Sequence, residues 1–291
     1  MATILKTENL NKVYRLGSFT SNRQVQALNN INLNIESDQP VIISVVGESG
    51  SGKTTLAKTL LRLVEPTSGH ATVYDQLVAG KGVKVGKTQF LATVQPIFQN
   101  PFEAFSRYRQ VDSYLFETAT RVAGHSKDAA NAALETALSA VGLEYKDVHG
   151  KYPNQFSGGE LQRVSIARAL IPQPKLIVAD EPVSMIDASR RMIIINLFLK
   201  LKQEAKRSFL YITHDLATAY YISDYIAVMN KGTVVEFGDA RTVMSNPQHD
   251  YTKLLLDSIP TTKKKWDRKP VIAPDVAGEL VRGGPGTPAK K

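Results

Sequence analysis

Residues 47–54 form a glycine-rich run that reads Gly47-Glu48-Ser49-Gly50-Ser51-Gly52-Lys53-Thr54. The apolar, β-branched run at 41–46 precedes it and predicts a buried strand. The residues from Thr55 to about Leu63 have apolar side chains at helical spacing. A strand, a glycine-rich turn, a Lys-Thr pair and a helix, in this order, are the context that a phosphate-binding loop requires.

The residue types of this phosphate loop suit a polyphosphate. Glycines let the backbone curl so that several N–H groups point at one anion, and the following helix adds positive charge. Lys53 can reach the β- and γ-phosphates, and the Thr54 hydroxyl can hold Mg²⁺. A glycine-rich connector before an ordinary helix fits less well, because both flanks are correct. We therefore expect a bound nucleoside triphosphate. Its expected contacts here are Gly47, Ser49, Gly50, Ser51, Gly52, Lys53, Thr54 and Thr55.

Length and composition limit the classes of protein to which this chain can belong. The chain has 291 residues, enough for one large α/β domain with an appendage or for two small domains. It contains no cysteine, which excludes disulfides, thiolate metal sites and iron–sulfur clusters. No apolar run reaches the roughly 18 residues of a membrane span, and the N-terminus lacks the pattern of a secretory signal. We therefore expect the protein to stay in the cytoplasm.

The net charge of +9 is concentrated at the C-terminus. Residues 261–291 contain eight Lys and Arg against three Asp and Glu, whereas the rest of the chain contains 28 against 24. A basic tail can contact nucleic acid or an anionic membrane surface. A solvated, partly disordered tail is an equally good interpretation.

Two extended segments open the chain, on either side of a polar turn at 17–22. The alternation at the end of 27–35 indicates a strand with one buried face. Tyr14 lies in the first segment. Its ring either fills a half-buried strand position or stacks on an adenine ring, and periodicity alone favours the strand position.

After the phosphate loop the pattern changes from strand to helix. Short strands are expected at 72–74 and 90–94, and Gln99 follows them, next to an Asn-Pro pair that marks an abrupt change of structure. From Val111 to Val141 the pattern is helical and rich in alanine. We interpret 103–172 as a helical insertion in the α/β domain.

A second cap for an anion comes near the end of that insertion. Ser157-Gly158-Gly159-Glu160 stands directly before a helix expected from Leu161 to about Leu170. Serine and glycines at a helix start leave backbone N–H groups free for an anion. Taken alone, the stretch is better interpreted as an ordinary N-cap.

Three ionisable side chains stand at the ends of two apolar strands. The strand at 175–179 ends in Asp180 and Glu181, and the strand at 209–213 ends in His214. Ligands of open α/β sheets bind at such strand ends, and burying uncompensated carboxylates is costly. We expect Asp180 to hold Mg²⁺, directly or through water, and Glu181 to polarise the attacking water. His214 fits a structural role and a role in this site about equally well.

In their order and spacing, these motifs resemble those of the ATP-binding cassette (ABC) ATPases, over residues 3 to about 240. The matching elements are Tyr14, Gly47–Thr54, Gln99, Ser157-Gly158-Gly159-Glu160, Asp180-Glu181, Ser184-Met185-Ile186-Asp187 and His214. The resemblance implies an α/β fold of the P-loop NTPase class, with a nucleotide-binding domain at 1–240 and a helical signature subdomain at about 103–172. It also implies an ATPase that uses ATP and Mg²⁺.

The resemblance assigns roles to most of these residues. It implies a head-to-tail pair of domains, in which each ATP lies between the phosphate loop of one subunit and Ser157-Gly158-Gly159-Glu160 of the other. Tyr14 would then stack on the adenine. The implied catalytic residues are Glu181 as base or water-orienting group, His214 and Lys53 on the γ-phosphate, and Gln99 at the attacking water. The implied Mg²⁺ ligands are Thr54, Gln99 and Asp180.

Two motifs depart from the family pattern. Glu160 stands where glutamine is usual, and 184–187 reads Ser-Met-Ile-Asp where Ser-Ala-Leu-Asp is commoner. Glu181 and His214 are both present, so we expect a site that is competent for hydrolysis.

The C-terminal segment is similar to that of the oligopeptide/dipeptide importer ATPases. Residues 249–255 read His-Asp-Tyr-Thr-Lys-Leu-Leu and continue to Ser258-Ile259-Pro260, where that family has His-Pro-Tyr-Thr, Leu-Leu and Ile-Pro. Residues 152–159 read Tyr-Pro-Asn-Gln-Phe-Ser-Gly-Gly, where the family has Tyr-Pro-His-Glu-Phe-Ser-Gly-Gly. We expect 241–291 to be this extension, with a basic and partly disordered tail.

The importer resemblance implies the energy-coupling ATPase subunit of a bacterial or archaeal importer of peptides or oligosaccharides, peripheral at the cytoplasmic face of the cell membrane. The implied partners are membrane permease subunits, a second ABC ATPase subunit in a heterodimer or homodimer, and indirectly an extracytoplasmic solute-binding protein. The alternative is a soluble ABC ATPase acting on nucleic acid or ribosomes, which the basic tail would suit. Such proteins usually carry two cassettes or a long coiled-coil insertion, so we expect no nucleic-acid partner.

Overall fold

The computed structural model describes residues 2–16 and 23–258, which form two sheets and the helices packed on them. The strands are β1 (Ala2–Leu16), β2 (Arg23–Ser37), β3 (Ile42–Val46), β4 (Ser68–Val73), β5 (Gln76–Ala79), β6 (Val94–Ile97), β7 (Leu176–Asp180), β8 (Ser208–Thr213), β9 (Tyr225–Asn230) and β10 (Thr233–Asp239). The helices are α1 (Lys53–Leu60), α2 (Lys87–Thr93), α3 (Val111–Glu117), α4 (Lys127–Ala140), α5 (Tyr145–Val148), α6 (Gly158–Leu170), α7 (Ala188–Gln203), α8 (Leu216–Ile222), α9 (Ala240–Ser245) and α10 (Asp250–Asp257). The predicted turn at 17–22 and the basic tail at 261–291 lie outside the described residues.

The central sheet has the strand order β10-β9-β3-β8-β7-β6. Five of its six strands run parallel, namely β3 and β6 to β9. The sixth strand, β10, pairs with β9 in the antiparallel direction. All residues of β3 and β8 are buried, as is typical of parallel strands that are covered on both faces. The register pairs Val46 with Thr213 and Ile97 with Ala179. The carboxyl ends of β3, β6, β7 and β8 therefore meet at one edge of the sheet.

The second sheet is antiparallel, with the order β2-β1-β4-β5. Successive residues of β3 face different layers, because side chains alternate along a strand. Ile43 and Val45 pack in a core with α1 and the second sheet, whereas Ile42 belongs to the core that includes residues of α3 to α7. The alternation predicted within 27–35 is confirmed: the buried positions at its end are Ile31, Leu33 and Ile35.

The segment between β6 and β7 is helical, as the sequence predicts. It contains α3 to α6, two 3₁₀ turns (Pro101–Ala104 and Pro153–Gln155) and one π turn (Thr118–Val122). The division of the chain into domains at 103–172 and at 240 stays a prediction. Within the described residues, no helix is both long enough and apolar enough to cross a membrane.

The strand predicted at 90–94 is wrong. Residues 87–93 form α2, whose first hydrogen bond runs from Phe90 N–H to the Gly86 carbonyl (2.9 Å), and β6 begins only at Val94. Short apolar runs fit a helix and a strand alike, so periodicity could not decide. Phe90 is buried, and the Arg62 guanidinium lies 5.2 Å from the centroid of its ring.

Candidate nucleotide-binding site

The phosphate loop joins the end of β3 to the start of α1, as the sequence predicts. Two of its glycines stand where a side chain has no room. A Cβ on Gly47 would lie 2.2 Å from the Met229 carbonyl oxygen, and a Cβ on Gly52 would lie 2.4 Å from the Ala27 carbonyl oxygen. Gly50 and Gly52 have φ angles of 82° and 105°, in the left-handed region that favours glycine. The loop therefore lies directly against neighbouring backbone.

We expect Gly47→Ala to lower the free energy of unfolding by about 2–4 kcal/mol, because its Cβ and the Met229 carbonyl cannot both stay in place. Gly50→Ala is the matched control. Nothing lies within 4 Å of a Cβ at that position, so only the left-handed φ opposes alanine, at a cost of about 1–2 kcal/mol. Urea unfolding of both variants measures the difference, and equal losses would show that the Met229 contact is unimportant.

Lys53 is buried inside the phosphate loop and binds its backbone. Its ammonium donates hydrogen bonds to the carbonyl oxygens of Gly47 (2.7 Å) and Glu48 (2.8 Å). Burial lowers the pKa of this ammonium, and the nearby carboxylates of Glu181 and Asp180 oppose that effect. The loop thus carries a fixed cation at its centre, which suits it to hold phosphates.

Three of the four predicted catalytic residues meet at Glu181, directly after β7. Its Oε1 lies 3.2 Å from Nδ1 of His214, and its Oε2 accepts a hydrogen bond from Nε2 of Gln99 at 3.3 Å. The φ of Glu181 is 45°, which is rare for a residue with a side chain. Its N–H donates to the Ile212 carbonyl oxygen (2.9 Å), and this bond to β8 helps to hold the strained conformation.

Two of the three predicted Mg²⁺ ligands face each other. The Thr54 hydroxyl donates to Oδ1 of Asp180 at 3.3 Å, whereas Gln99 contacts Glu181. Burial raises the pKa of Asp180, although the hydrogen bond from Thr54 opposes the rise. In residues 2–16 and 23–258 no group of three or more His, Asp or Glu side chains could hold a metal ion. A hydroxyl and a carboxylate are oxygen ligands that fit Mg²⁺ when phosphates and waters complete its shell.

Ser157 caps α6, which agrees with its interpretation as an N-cap. Its hydroxyl accepts from the N–H of Glu160 (3.3 Å), and Glu160 Oε2 accepts from the N–H of Ser157 (2.9 Å). The Ser157 hydroxyl also donates to Glu160 Oε2 (2.8 Å), and the two hydrogen bonds that this carboxylate accepts from Ser157 lower the pKa of Glu160. A Cβ on Gly158 would lie 3.6 Å from the Met185 carbonyl oxygen. In the described part of the chain no hydrogen bond joins 157–160 to the phosphate loop, so contact with ATP across a dimer stays a prediction.

Tyr14 is a partly buried residue of β1, opposite Val25 of β2. The Lys12 ammonium lies 5.1 Å from the centroid of its ring. No hydrogen bond or ring contact between described residues links Tyr14 to the phosphate loop. Its stacking on adenine therefore stays a prediction, as do the expected contacts of the phosphate loop and of Thr55 with a nucleotide.

Two neighbours of the phosphate loop are not apparent from the sequence. The N–H of Gly232, in the turn between β9 and β10, donates to the Ser51 carbonyl oxygen at 2.9 Å. The Tyr251 hydroxyl, on α10, accepts a hydrogen bond from the N–H of Glu48 at 3.2 Å. The Asn-Lys-Gly turn and the His-Asp-Tyr-Thr motif mark both places in the sequence, but neither pattern shows that they reach this loop.

Two protein-family models match parts of this chain. A protein-family model described as "ABC transporter" matches residues 28–184. A second model, described as "Oligopeptide/dipeptide transporter, C-terminal region", matches residues 235–284. The second match covers the segment that carries Tyr251.

Similar curated proteins share most of the chain. The di/tripeptide transport ATP-binding protein DppF of Pseudomonas aeruginosa is 36% identical over 262 residues, which are 89% of this chain and 80% of that protein. The oligopeptide transport ATP-binding protein AppF of Bacillus subtilis is 34% identical, over 92% of this chain and 81% of that protein. The glutathione import ATP-binding protein GsiA of Salmonella typhi is 39% identical, but the match spans only 42% of its length.

Solved structures also match the fold. A post-hydrolysis dimer of the ATP-binding cassette MJ0796, bound to ADP and Pi, has a TM-score of 0.69 and 26% identity, and the match covers 81% of this chain and 99% of that one. CbiO1 of Clostridium perfringens, part of the transporter complex CbiONQ, has a TM-score of 0.70 over 84% of this chain and 92% of that one. At 24% identity, the second match supports the fold alone.

Proposed function

Because this chain belongs to the ABC transporter family, we propose that it hydrolyses ATP and thereby drives the import of a peptide or an oligosaccharide through a membrane permease. One observation carries the proposal: Glu181 lies between Gln99 (3.3 Å) and His214 (3.2 Å), at the sheet edge where the phosphate loop begins. A carboxylate positioned by two polar side chains beside a phosphate site is suited to act on water.

The proposed mechanism assigns one task to each of these side chains. The phosphate loop and Lys53 bind the β- and γ-phosphates. Glu181 takes a proton from water as the water oxygen attacks the γ-phosphorus, and the bond from that phosphorus to the ADP oxygen breaks. Gln99 and His214 hold the carboxylate and the γ-phosphate in place. Mg²⁺, held by Thr54 and Asp180, would neutralise phosphate charge.

We expect Asp180→Asn to weaken Mg²⁺-dependent nucleotide binding by about tenfold, because an amide is a poorer ligand for Mg²⁺ than a carboxylate. Titration of Mg²⁺ against binding of a fluorescent ATP analogue measures this without turnover. Asp128→Asn, on the exposed first turn of α4, is the control. Unchanged Mg²⁺ dependence in Asp180→Asn would remove Asp180 from the proposed metal site.

The same site should respond to pH in a defined direction. Burial raises the pKa of Asp180, and Mg²⁺ needs its ionised form. As the pH falls, Asp180 should take up its proton earlier than an aspartate with an ordinary pKa. Mg²⁺-dependent binding should therefore begin to weaken at a higher pH than it would with such an aspartate. An unchanged Mg²⁺ affinity down to the usual aspartate range would contradict this.

The proposed assembly contains two ATPase subunits beneath a permease, at the cytoplasmic face of the membrane. In a head-to-tail pair, Ser157, Gly158, Gly159 and Glu160 would meet the ATP held by the partner's phosphate loop. The relatives named as transport ATP-binding proteins and the dimeric ATP-binding cassette MJ0796 support this arrangement. The partner is a sister ATPase or a second copy of this chain, and a solute-binding protein would deliver the cargo to the permease.

Stimulation of ATP turnover separates this proposal from an ATPase that acts on nucleic acid or ribosomes. The similar proteins named above are transport and import subunits, which does not support that alternative. We expect the membrane subunits that co-purify with this chain to raise its turnover, and RNA or DNA to leave it unchanged. Stimulation of turnover by nucleic acid alone would favour the ATPase that acts on nucleic acid or ribosomes over the transport ATPase.

A further inference from the structure

The C-terminal helix α10 contacts the phosphate loop through one side chain. Tyr251, in the first turn of α10, is partly buried, and its hydroxyl accepts a hydrogen bond from the N–H of Glu48 at 3.2 Å. The two residues are 203 positions apart in the sequence, so this bond depends on the tertiary fold. It joins the C-terminal extension to the nucleotide site.

Glu48 connects Tyr251 to the lysine of the loop. The Glu48 carbonyl oxygen accepts hydrogen bonds from the Lys53 ammonium (2.8 Å) and from the N–H of Ser51 (3.2 Å). Its N–H is the group bound by Tyr251. A displacement of the Glu48 backbone would therefore disturb both bonds to the loop, including the one that orients the ammonium.

The turn directly before α10, which leads into Tyr251, is fixed to the central sheet. The carboxylate of Glu236, on β10, accepts hydrogen bonds from the N–H groups of Gln248 (2.8 Å) and His249 (3.1 Å). Burial alone would raise the pKa of Glu236, but hydrogen bonds, among them those from Gln248 and His249, leave it below its usual value. The carboxylate thus stays ionised and acts as a strong acceptor.

The phosphate loop is supported at two points by this part of the chain. Gly232, directly before β10, holds the Ser51 carbonyl, and Tyr251 holds the Glu48 N–H. Thr252, next to Tyr251, is 1% exposed, which anchors the start of α10 in the molecule. The position of the Tyr251 hydroxyl is therefore set by the sheet and not by α10 alone.

We propose that Tyr251 is a positioning residue for ATP binding, through which the C-terminal extension holds the phosphate loop in its binding conformation. The inference rests on the proposed ATP-binding function. Without the hydroxyl, the loop would be less ordered before ATP arrives, and ordering it would weaken binding. Glu181, Gln99 and His214 lie on other elements, so the chemical step itself should not change.

Tyr251→Phe tests the proposal, because it removes the hydroxyl and keeps the ring. In the full chain with its permease, the Kd and KM for ATP should rise about threefold to tenfold, and kcat should stay within about twofold. Tyr221→Phe, on α8, is the matched control, because its hydroxyl donates to Asn196 (3.0 Å) and not to the phosphate loop. This control should keep the wild-type Kd and KM.

Glu236→Gln tests the same connection from the sheet side. A neutral amide is a weaker acceptor for Gln248 and His249, so the Kd should rise in the same direction. The double variant with Tyr251→Phe should bind ATP no more weakly than Tyr251→Phe alone. A wild-type Kd in Tyr251→Phe, or a fall of its kcat in parallel, would overturn the inference. Failure of the wild-type chain to bind ATP would instead overturn the proposed function.

Discussion

Glu181→Gln is expected to lower ATP turnover by about 10²- to 10⁴-fold while ATP binding is retained. The amide has nearly the same shape as the carboxylate, so its contacts with Gln99 and His214, now at 3.3 and 3.2 Å, can persist. It cannot accept a proton from the attacking water. The loss should therefore appear in kcat, with the Kd for ATP close to that of the wild type.

Phosphate release and equilibrium ATP binding measure these two quantities on the same preparation. Glu204→Gln is the control, because Glu204 follows α7 and is exposed to solvent. It should keep wild-type turnover. Turnover within a few-fold of wild type in Glu181→Gln would show that another group activates the water.

Lys53→Met has the second large expected effect, which falls on binding and not on chemistry. The ammonium is held 2.7 and 2.8 Å from two loop carbonyls, and ATP phosphates would replace carbonyl oxygens as its acceptors. Charge-assisted hydrogen bonds to phosphate are the strong ones, so the loss of this cation should weaken ATP binding by about 100-fold.

Lys58→Met is the matched control for this variant. It lies on the same helix α1, but its side chain is exposed, so ATP affinity should stay at the wild-type value. Titration with a fluorescent ATP analogue compares the two variants, and an unfolding curve for each shows that the fold is kept. Equal affinities in both would mean that Lys53 does not bind the phosphates.

The central strands of the fold follow from local sequence, and α2 does not. Residues 42–46 and 208–213 are buried throughout and apolar over most of their length, so a strand is the natural interpretation. The short run at 90–94 is apolar in the same way. It is nevertheless helical, with Phe90 buried beneath Arg62 of a distant segment, and no local pattern contains that contact.

Some residues of the site can be placed together from the sequence alone, and others cannot. Gln99, Glu181 and His214 are brought together because parallel strands end at one sheet edge, and this follows from the order of the motifs. Tyr251 and Glu48 could not be paired in this way. Their contact depends on where the Glu236 carboxylate holds the turn before α10, and that is a property of the packed molecule.

Uptake of a labelled peptide into liposomes tests the central claim most directly, that ATP hydrolysis at Glu181 drives import. The liposomes would carry this chain with its permease and sister ATPase in their membrane. The solute-binding protein would be present on the side of the membrane from which the peptide enters. We expect uptake that requires ATP and disappears with Glu181→Gln. ATP hydrolysis by the wild-type complex without any peptide movement would contradict the account.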